Sequence, residues 1–143
     1  MSVDIQREMY NRAIELIEKR YPIGWGGAGV IYTEKGNYFT SVALESSNAS
    51  VLLCIETGAM CEAHKFNEKV IYCLCIVRDD EKSSYKILSP CGVCQERLRY
   101  WGDDVKVGVT NKENEILFVS LKELQPYHWT NAYNYNEISQ FKN

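Results

Sequence analysis

Apolar residues recur at helical spacing at the start of the chain. Ile5, Met9, Ala13, Leu16 and Ile17 predict an amphipathic helix over residues 4–20. Tyr21-Pro22 ends it, because the residue before a proline is pushed out of the α region. A glycine-rich turn (Gly24, Gly26, Gly27, Gly29) leads into a predicted strand near 28–33. Lys35-Gly36-Asn37 reads as a turn and 37–44 as the hairpin partner. No Gly-Lys-Ser/Thr follows the glycines, which excludes a phosphate loop. A second helix is predicted from near Cys54, with Ala59, Ala63 and Phe66 along one face. Val70–Val77 is short, β-rich and apolar on both sides, the pattern of a strand covered by helices. Ser89-Pro90 predicts a helix start, with serine at the N-cap and proline at the first helical position. That helix runs to about Trp101, where Gly102 supplies the C-cap. Strands near 105–110 and 115–119 and a short helix at 120–125 follow. The order α-β-β-α-β-α-β-β-α predicts a three-layer α/β/α domain around a mixed five-stranded sheet. No linker or repeat interrupts it, so residues 1–143 read as one domain with an aromatic tail over about 127–143.

Composition narrows the function. The 143 residues carry 16 basic and 19 acidic side chains, a formal charge of −3. No basic run is present to neutralise phosphates, which argues against a nucleic-acid partner. The longest apolar run, Val70–Val77, is far shorter than the ~20 residues that cross a bilayer, so no membrane partner is expected. The first eight residues are mixed in charge and lack the apolar centre of a signal peptide, so a cytoplasmic protein is expected. In that reducing compartment six cysteines are not a disulfide framework; they are buried, catalytic or metal-binding.

Two segments carry chemistry. In Pro90-Cys91-Gly92-Val93-Cys94 the thiols at i and i+3 are expected to share the buried helix face with Leu98 and Trp101. They stand in a first turn, where free N–H groups favour thiolates and hence a soft metal such as zinc. Alone, this spacing is also that of a structural zinc site or of two small buried residues. In Cys54-Ile55-Glu56 a third thiol stands at a helix entrance, two residues before a carboxylate. Three thiolates leave one tetrahedral position for water, the mark of a catalytic zinc site, with Glu56 as the base for that water. The bland alternative makes Glu56 an ordinary acid complementing the helix dipole.

Cys-x-Glu followed by Pro-Cys-x-x-Cys resembles the signature of the zinc nucleobase deaminases. More closely, the chain resembles the small tetrameric cytidine deaminases, including their blasticidin-S deaminase relatives. Ser89-Pro90-Cys91-Gly92-Val93-Cys94 is similar to the family's Ser-Pro-Cys-Gly-x-Cys, and Leu121–Trp129 to its C-terminal Glu-Leu-Leu-Pro and aromatic ending. The likeness covers roughly residues 5–130. It implies one zinc per subunit held by Cys54, Cys91 and Cys94, and Glu56 as the proton carrier. It also implies a free pyrimidine nucleoside as substrate and a homotetramer or other homo-oligomer. Glu45, nine residues before Cys54, matches the acid that holds the ribose. The chain departs from the family at Ala43, where the family has asparagine, and at Thr57, where many members have arginine. A third departure is Gln95-Glu96, in place of Arg-Gln. A zinc ion with three thiolates carries one net negative charge, so two helix N-termini, Arg97 or Arg99 must help to offset it.

The reading is therefore hydrolytic deamination of cytidine or deoxycytidine. Deamination of another aminopyrimidine nucleoside such as blasticidin S is the alternative prompted by Ala43 and Thr57. A non-catalytic structural-zinc protein, with Cys61 as a fourth ligand, is the alternative of another class. Cys61 and His64 are otherwise expected to pack, as are Cys73 and Cys75, while His128 is expected at a surface or interface. Trp129 and the tyrosines around it either dock on the chain's own fold or, as the resemblance implies, cover the base in a neighbouring subunit.

Overall fold

The N-terminal apolar stripe forms one continuous helix in the computed structural model, which describes residues 2–134. This helix, α1 (Ser2–Arg20), buries Met9, Ala13 and Ile17 against one face of the sheet. Full burial of side chains the size of Met9 and Ile17 stabilises by about 1.5–3 kcal/mol each. Strand β1 (Gly26–Thr33) pairs antiparallel with β2 (Tyr38–Ser41) on one side and with β3 (Val70–Arg78) on the other. Alternation then divides the chain's apolar residues between two layers. Ala28, Val30, Leu74 and Ile76 face α1, whereas Ile31 and Cys73 face α2 (Thr57–Lys65) and α3 (Gly92–Leu98). The expected three-layer α/β/α arrangement is thus present.

The sheet has six strands rather than the expected five, in the order β2-β1-β3-β5-β6 with β4 also paired to β3. The added strand, β4 (Lys86–Leu88), pairs antiparallel with Cys75–Val77 and buries only Ile87. β5 (Lys106–Gly108) runs parallel to β3 and antiparallel to β6 (Phe118–Ser120), which makes the sheet mixed. The short α4 (Leu121–Leu124) follows, capped by Ser120, whose side chain accepts from the Glu123 N–H.

Two helix starts fall later than the sequence pattern places them. α2 begins at Thr57 with Glu56 as N-cap, and α3 begins at Gly92 with Cys91 as N-cap. Ser89 does not cap α3. It exchanges hydrogen bonds with Thr110, accepting from the Thr110 N–H at 2.9 Å while its own N–H donates to Thr110 Oγ1 at 3.1 Å. α3 ends in a single 3-10 turn, Arg99–Trp101, closed by Gly102 at φ 108°, a conformation that favours glycine.

Candidate active site

Two separate segments converge over the α2/α3 face of the sheet. The first is tied down on both sides of Cys54. Leu44 and Leu53 form an antiparallel bridge through two backbone hydrogen bonds, and Ser41 Oγ donates to the Ile55 carbonyl at 2.7 Å. The Thr57 N–H donates to the Cys54 carbonyl at 3.1 Å, closing a turn that carries the chain into α2. Glu56 lies at the centre of this turn and is only 4% exposed. It rests directly on Gly29, where a Cβ would meet Glu56 Cα at 2.9 Å. Glycine is the residue that permits this approach.

The second segment brings the Pro-Cys-x-x-Cys thiols. Cys91 has extended backbone and is exposed, while Cys94, in the first turn of α3, is fully buried. The two thiols therefore do not share a buried face, because Cys91 precedes the helix. Cys54 Sγ lies 3.4 Å from Cys91 Sγ, and the sulfur atoms of Cys54, Cys91 and Cys94 all lie within 4.8 Å of one another. No other such group of His, Cys, Asp and Glu donors occurs among the described residues.

The local field differs from thiol to thiol. Burial pushes Cys91 up, but hydrogen bonds from the Cys94 and Val93 N–H groups and from Cys54 outweigh it and hold the thiol below its ordinary pKa. Burial, then the Glu56 charge and the other thiols, push Cys94 far up. Cys54 is raised, first by burial and then by Cys91. Burial also raises Glu56, against hydrogen bonds from its own backbone, Cys94 and Cys75. Three soft donors, preformed and open at the Cys91 side, suit a zinc ion that keeps one position for a non-protein ligand.

The remaining predicted residues fall as follows. Ala43 is half-buried, and Glu45 is exposed next to the Leu44–Leu53 bridge. Trp129 is half-exposed, and its Nε1–H donates to Glu96 Oε2 at 3.2 Å. The same carboxylate pairs with His128 Nε2 at 2.5 Å, so this part of the tail docks on the chain's own α3. Tyr135 and the rest of the expected tail lie outside the described residues. Cys73 and Cys75 are buried as expected. Cys61 corrects the expectation of packing: it is exposed, because α2 turns Thr57, Ala59, Met60 and Ala63 inward, and it is not part of the sulfur cluster. His64, likewise expected to pack, is exposed and meets Tyr100 edge-on.

Sequence reasoning missed Ser41 and Gly29 as the supports of the turn that carries Glu56. A glycine in a strand interior is a signal of close backbone approach, and Gly29 carried it. Arg97 and Arg99 are also separated by the structure. Arg97 Nη1 donates to Thr57 Oγ1 at 2.8 Å, next to Glu56, whereas Arg99 turns to Gln125 and Thr130.

No protein-family model matches the chain. Solved structures do. The cytidine deaminase from Bacillus anthracis is 51% identical over 97% of this chain and 99% of its own, with a TM-score of 0.91. The cytidine deaminases from Mycobacterium leprae (18% identity, 84% of this chain and 96% of that one, TM-score 0.64) and Burkholderia pseudomallei (17%, 86% and 98%, 0.67) share the fold. Half-identity across nearly the whole length, joined to a three-thiol cluster beside a buried glutamate, leaves one conclusion: the chain belongs to the cytidine deaminase family.

Proposed function

We propose that the protein is a zinc-dependent hydrolase that converts cytidine and deoxycytidine to uridine and deoxyuridine with release of ammonia. The observation that carries this reading is the meeting of Cys54, Cys91 and Cys94 around one point, with Glu56 buried beside them. Those three thiolates hold the zinc, one per subunit, and the ion supplies a Lewis acid that makes water acidic enough to attack near neutral pH. Glu56 takes one proton from the attacking water and passes it to N3 of the cytosine ring, then takes the second from the new C4 hydroxyl and gives it to the departing amine. Its burial suits a group that must bind and release a proton in turn. Glu45 holds the ribose hydroxyls, with Ala43 beside it offering only a methyl group.

The formal charge of −3 favours a free nucleoside over a nucleic acid. No helix among the described residues is long and apolar enough to cross a membrane. Activity in the cytoplasm, in a single domain that assembles as a homotetramer, completes the reading. Within such an assembly the half-exposed Trp129 ring covers the base in a neighbouring site.

Neither alternative is favoured. A structural-zinc protein has no need of a buried glutamate against the cluster, and Cys61 is not placed to be a fourth ligand. Blasticidin S rests on Ala43 and Thr57 alone. The test is ammonia release from cytidine, deoxycytidine and blasticidin S, with zinc content measured alongside. Turnover of the first two is expected, together with its loss in Glu56→Gln at unchanged zinc content. Inactivity toward both cytosine nucleosides, or an unaffected Glu56→Gln variant, overturns the reading.

A further inference from the structure

The turn that carries Glu56 spans Cys54–Thr57 and is closed by the Thr57 N–H on the Cys54 carbonyl at 3.1 Å. Ile55 and Glu56 are its central residues, and Glu56 has φ −81° and ψ −15°, close to the angles of the third residue of a type I turn. The closing bond does not engage the central peptide, between Ile55 and Glu56. Rotation of that peptide changes ψ of Ile55 and φ of Glu56 together. A full flip would give Glu56 the positive φ of a type II turn, which suits glycine.

Ser41, the last residue of β2, acts at this peptide. Its Oγ donates to the Ile55 carbonyl at 2.7 Å. The carbonyls on either side are held by the backbone, that of Cys54 by Thr57 and that of Glu56 by the Met60 N–H at 3.1 Å. The Ile55 carbonyl between them is held by a side chain from another strand. Ser41 also meets the chain beyond Glu56, since a Cβ on Gly58 would lie 2.8 Å from Ser41 Cβ. Gly29, opposite Ser41 in the strand register, closes the space beneath Glu56.

We propose that Ser41 is a positioning residue for the deamination: its hydroxyl fixes the Ile55–Glu56 peptide and so the direction in which the Glu56 side chain leaves the turn.

The inference rests on Glu56 being the proton carrier. Such a group serves several atoms in succession and must present its carboxylate at one place. The peptide is planar, so a hydrogen bond at its oxygen orients its N–H and the Glu56 Cα as one unit. Contact with Gly29 limits movement toward the sheet, whereas the Ser41 bond limits rotation. A hydroxyl is directional and uncharged, so it sets the peptide without altering the charge around Glu56.

The test joins steady-state kinetics to the carbon-13 shift of the Ile55 carbonyl, read through the Glu56 amide by NMR of the zinc-loaded protein. Ser41→Ala is expected to move that carbonyl upfield, as a lost hydrogen bond does. The same variant is expected to lower kcat roughly three- to tenfold with KM and zinc content unchanged, the range for one hydrogen bond felt in the transition state. Ser41→Thr, which keeps the hydroxyl, is expected to retain the carbonyl shift and most of the kcat. Thr33→Ala is the control for stability alone, because it removes a buried hydroxyl at the end of β1 from its bond to Glu68. It is expected to lower Tm and to leave both kcat and the Ile55 carbonyl unchanged. An Ile55 carbonyl unmoved in Ser41→Ala, a wild-type kcat in that variant, no recovery in Ser41→Thr, or an equal kcat loss in Thr33→Ala overturns the proposal. A wild-type protein without turnover refutes the deaminase reading itself, and the carbonyl shift, which needs no turnover, then shows the hydrogen bond standing without that role.

Discussion

Arg97 Nη1 donates to Thr57 Oγ1 at 2.8 Å, so the guanidinium of α3 is anchored at the residue that follows Glu56. A zinc ion with three thiolates has one net negative charge, and the family's usual arginine at this position is replaced by Thr57. Arg97 is the cation that this hydroxyl holds at the start of α2, and whether it offsets that charge is what its substitution tests. Arg97→Gln is expected to weaken zinc binding by about two- to tenfold, at the low end for an outer partner because Arg97 is partly solvated. Competition against a chromophoric chelator measures this. Arg99→Gln is the control and is expected to leave zinc affinity unchanged, since Arg99 bonds Gln125 and Thr130 instead.

Gly29 leaves no space for a methyl group beneath Glu56, whose Cα would lie 2.9 Å from the added Cβ and whose Cγ would lie 3.3 Å away. Gly29→Ala must therefore shift the Cys54–Thr57 turn. Overpacking of this kind costs about 1–3 kcal/mol, and a displacement approaching 1 Å at a proton carrier costs about a hundredfold in rate. Urea unfolding and kcat measured on one preparation are expected to show both losses. A variant of normal kcat would mean that Glu56 is not held against this strand.

The layers and most elements were legible from the apolar pattern, because α1 buries residues at helical spacing and β3 is a short apolar run buried on both faces. β4 was not, since Ile87 is its one buried residue and its pairing with β3 is a backbone matter without a side-chain pattern. The Ser89-Pro90 signal placed a cap two residues early because Ser89 found a distant partner, Thr110, that no local rule contains. The clustering of Cys54, Cys91 and Cys94 was legible because each thiol stands at a helix entrance with a short recognisable motif. The supports of the turn that carries Glu56 were not: Ser41 and Gly29 lie on different strands and meet only through strand register. Cys61 misled for a related reason, since which face of α2 turns inward is set by the packing of Ala59, Met60 and Ala63.

A metal ion held by the three thiols would tie α3 to the Cys54–Thr57 turn, two segments that α2 and β3 otherwise separate in the chain. Binding to the folded state alone stabilises by about 2.7 kcal/mol when free metal is a hundredfold above its dissociation constant. Removal by a chelator is expected to lower Tm by several degrees and to abolish ammonia release, with both restored by added zinc. Activity that survives verified metal removal would exclude a catalytic role for the site.

Docking of the tail depends on Glu96, which pairs with His128 Nε2 and accepts from Trp129 Nε1. Hydrogen bonds from His128 and then Trp129 hold its carboxyl below the ordinary carboxylate range. A depressed folded pKa means that docking is fully favoured above the ordinary value of about 4.3 and is lost as pH falls through the lower folded value. The tail is therefore expected to stay docked from neutrality down through pH ~5 and to release only in stronger acid. Trp129 emission, obtained as the difference between the wild-type protein and Trp129→Phe, reports this release. In Glu96→Gln the acid transition is expected to disappear, because the amide carries no charge to lose and pairs less well with His128. An emission change centred at neutral pH, or one that persists in Glu96→Gln, would show that another group controls the tail.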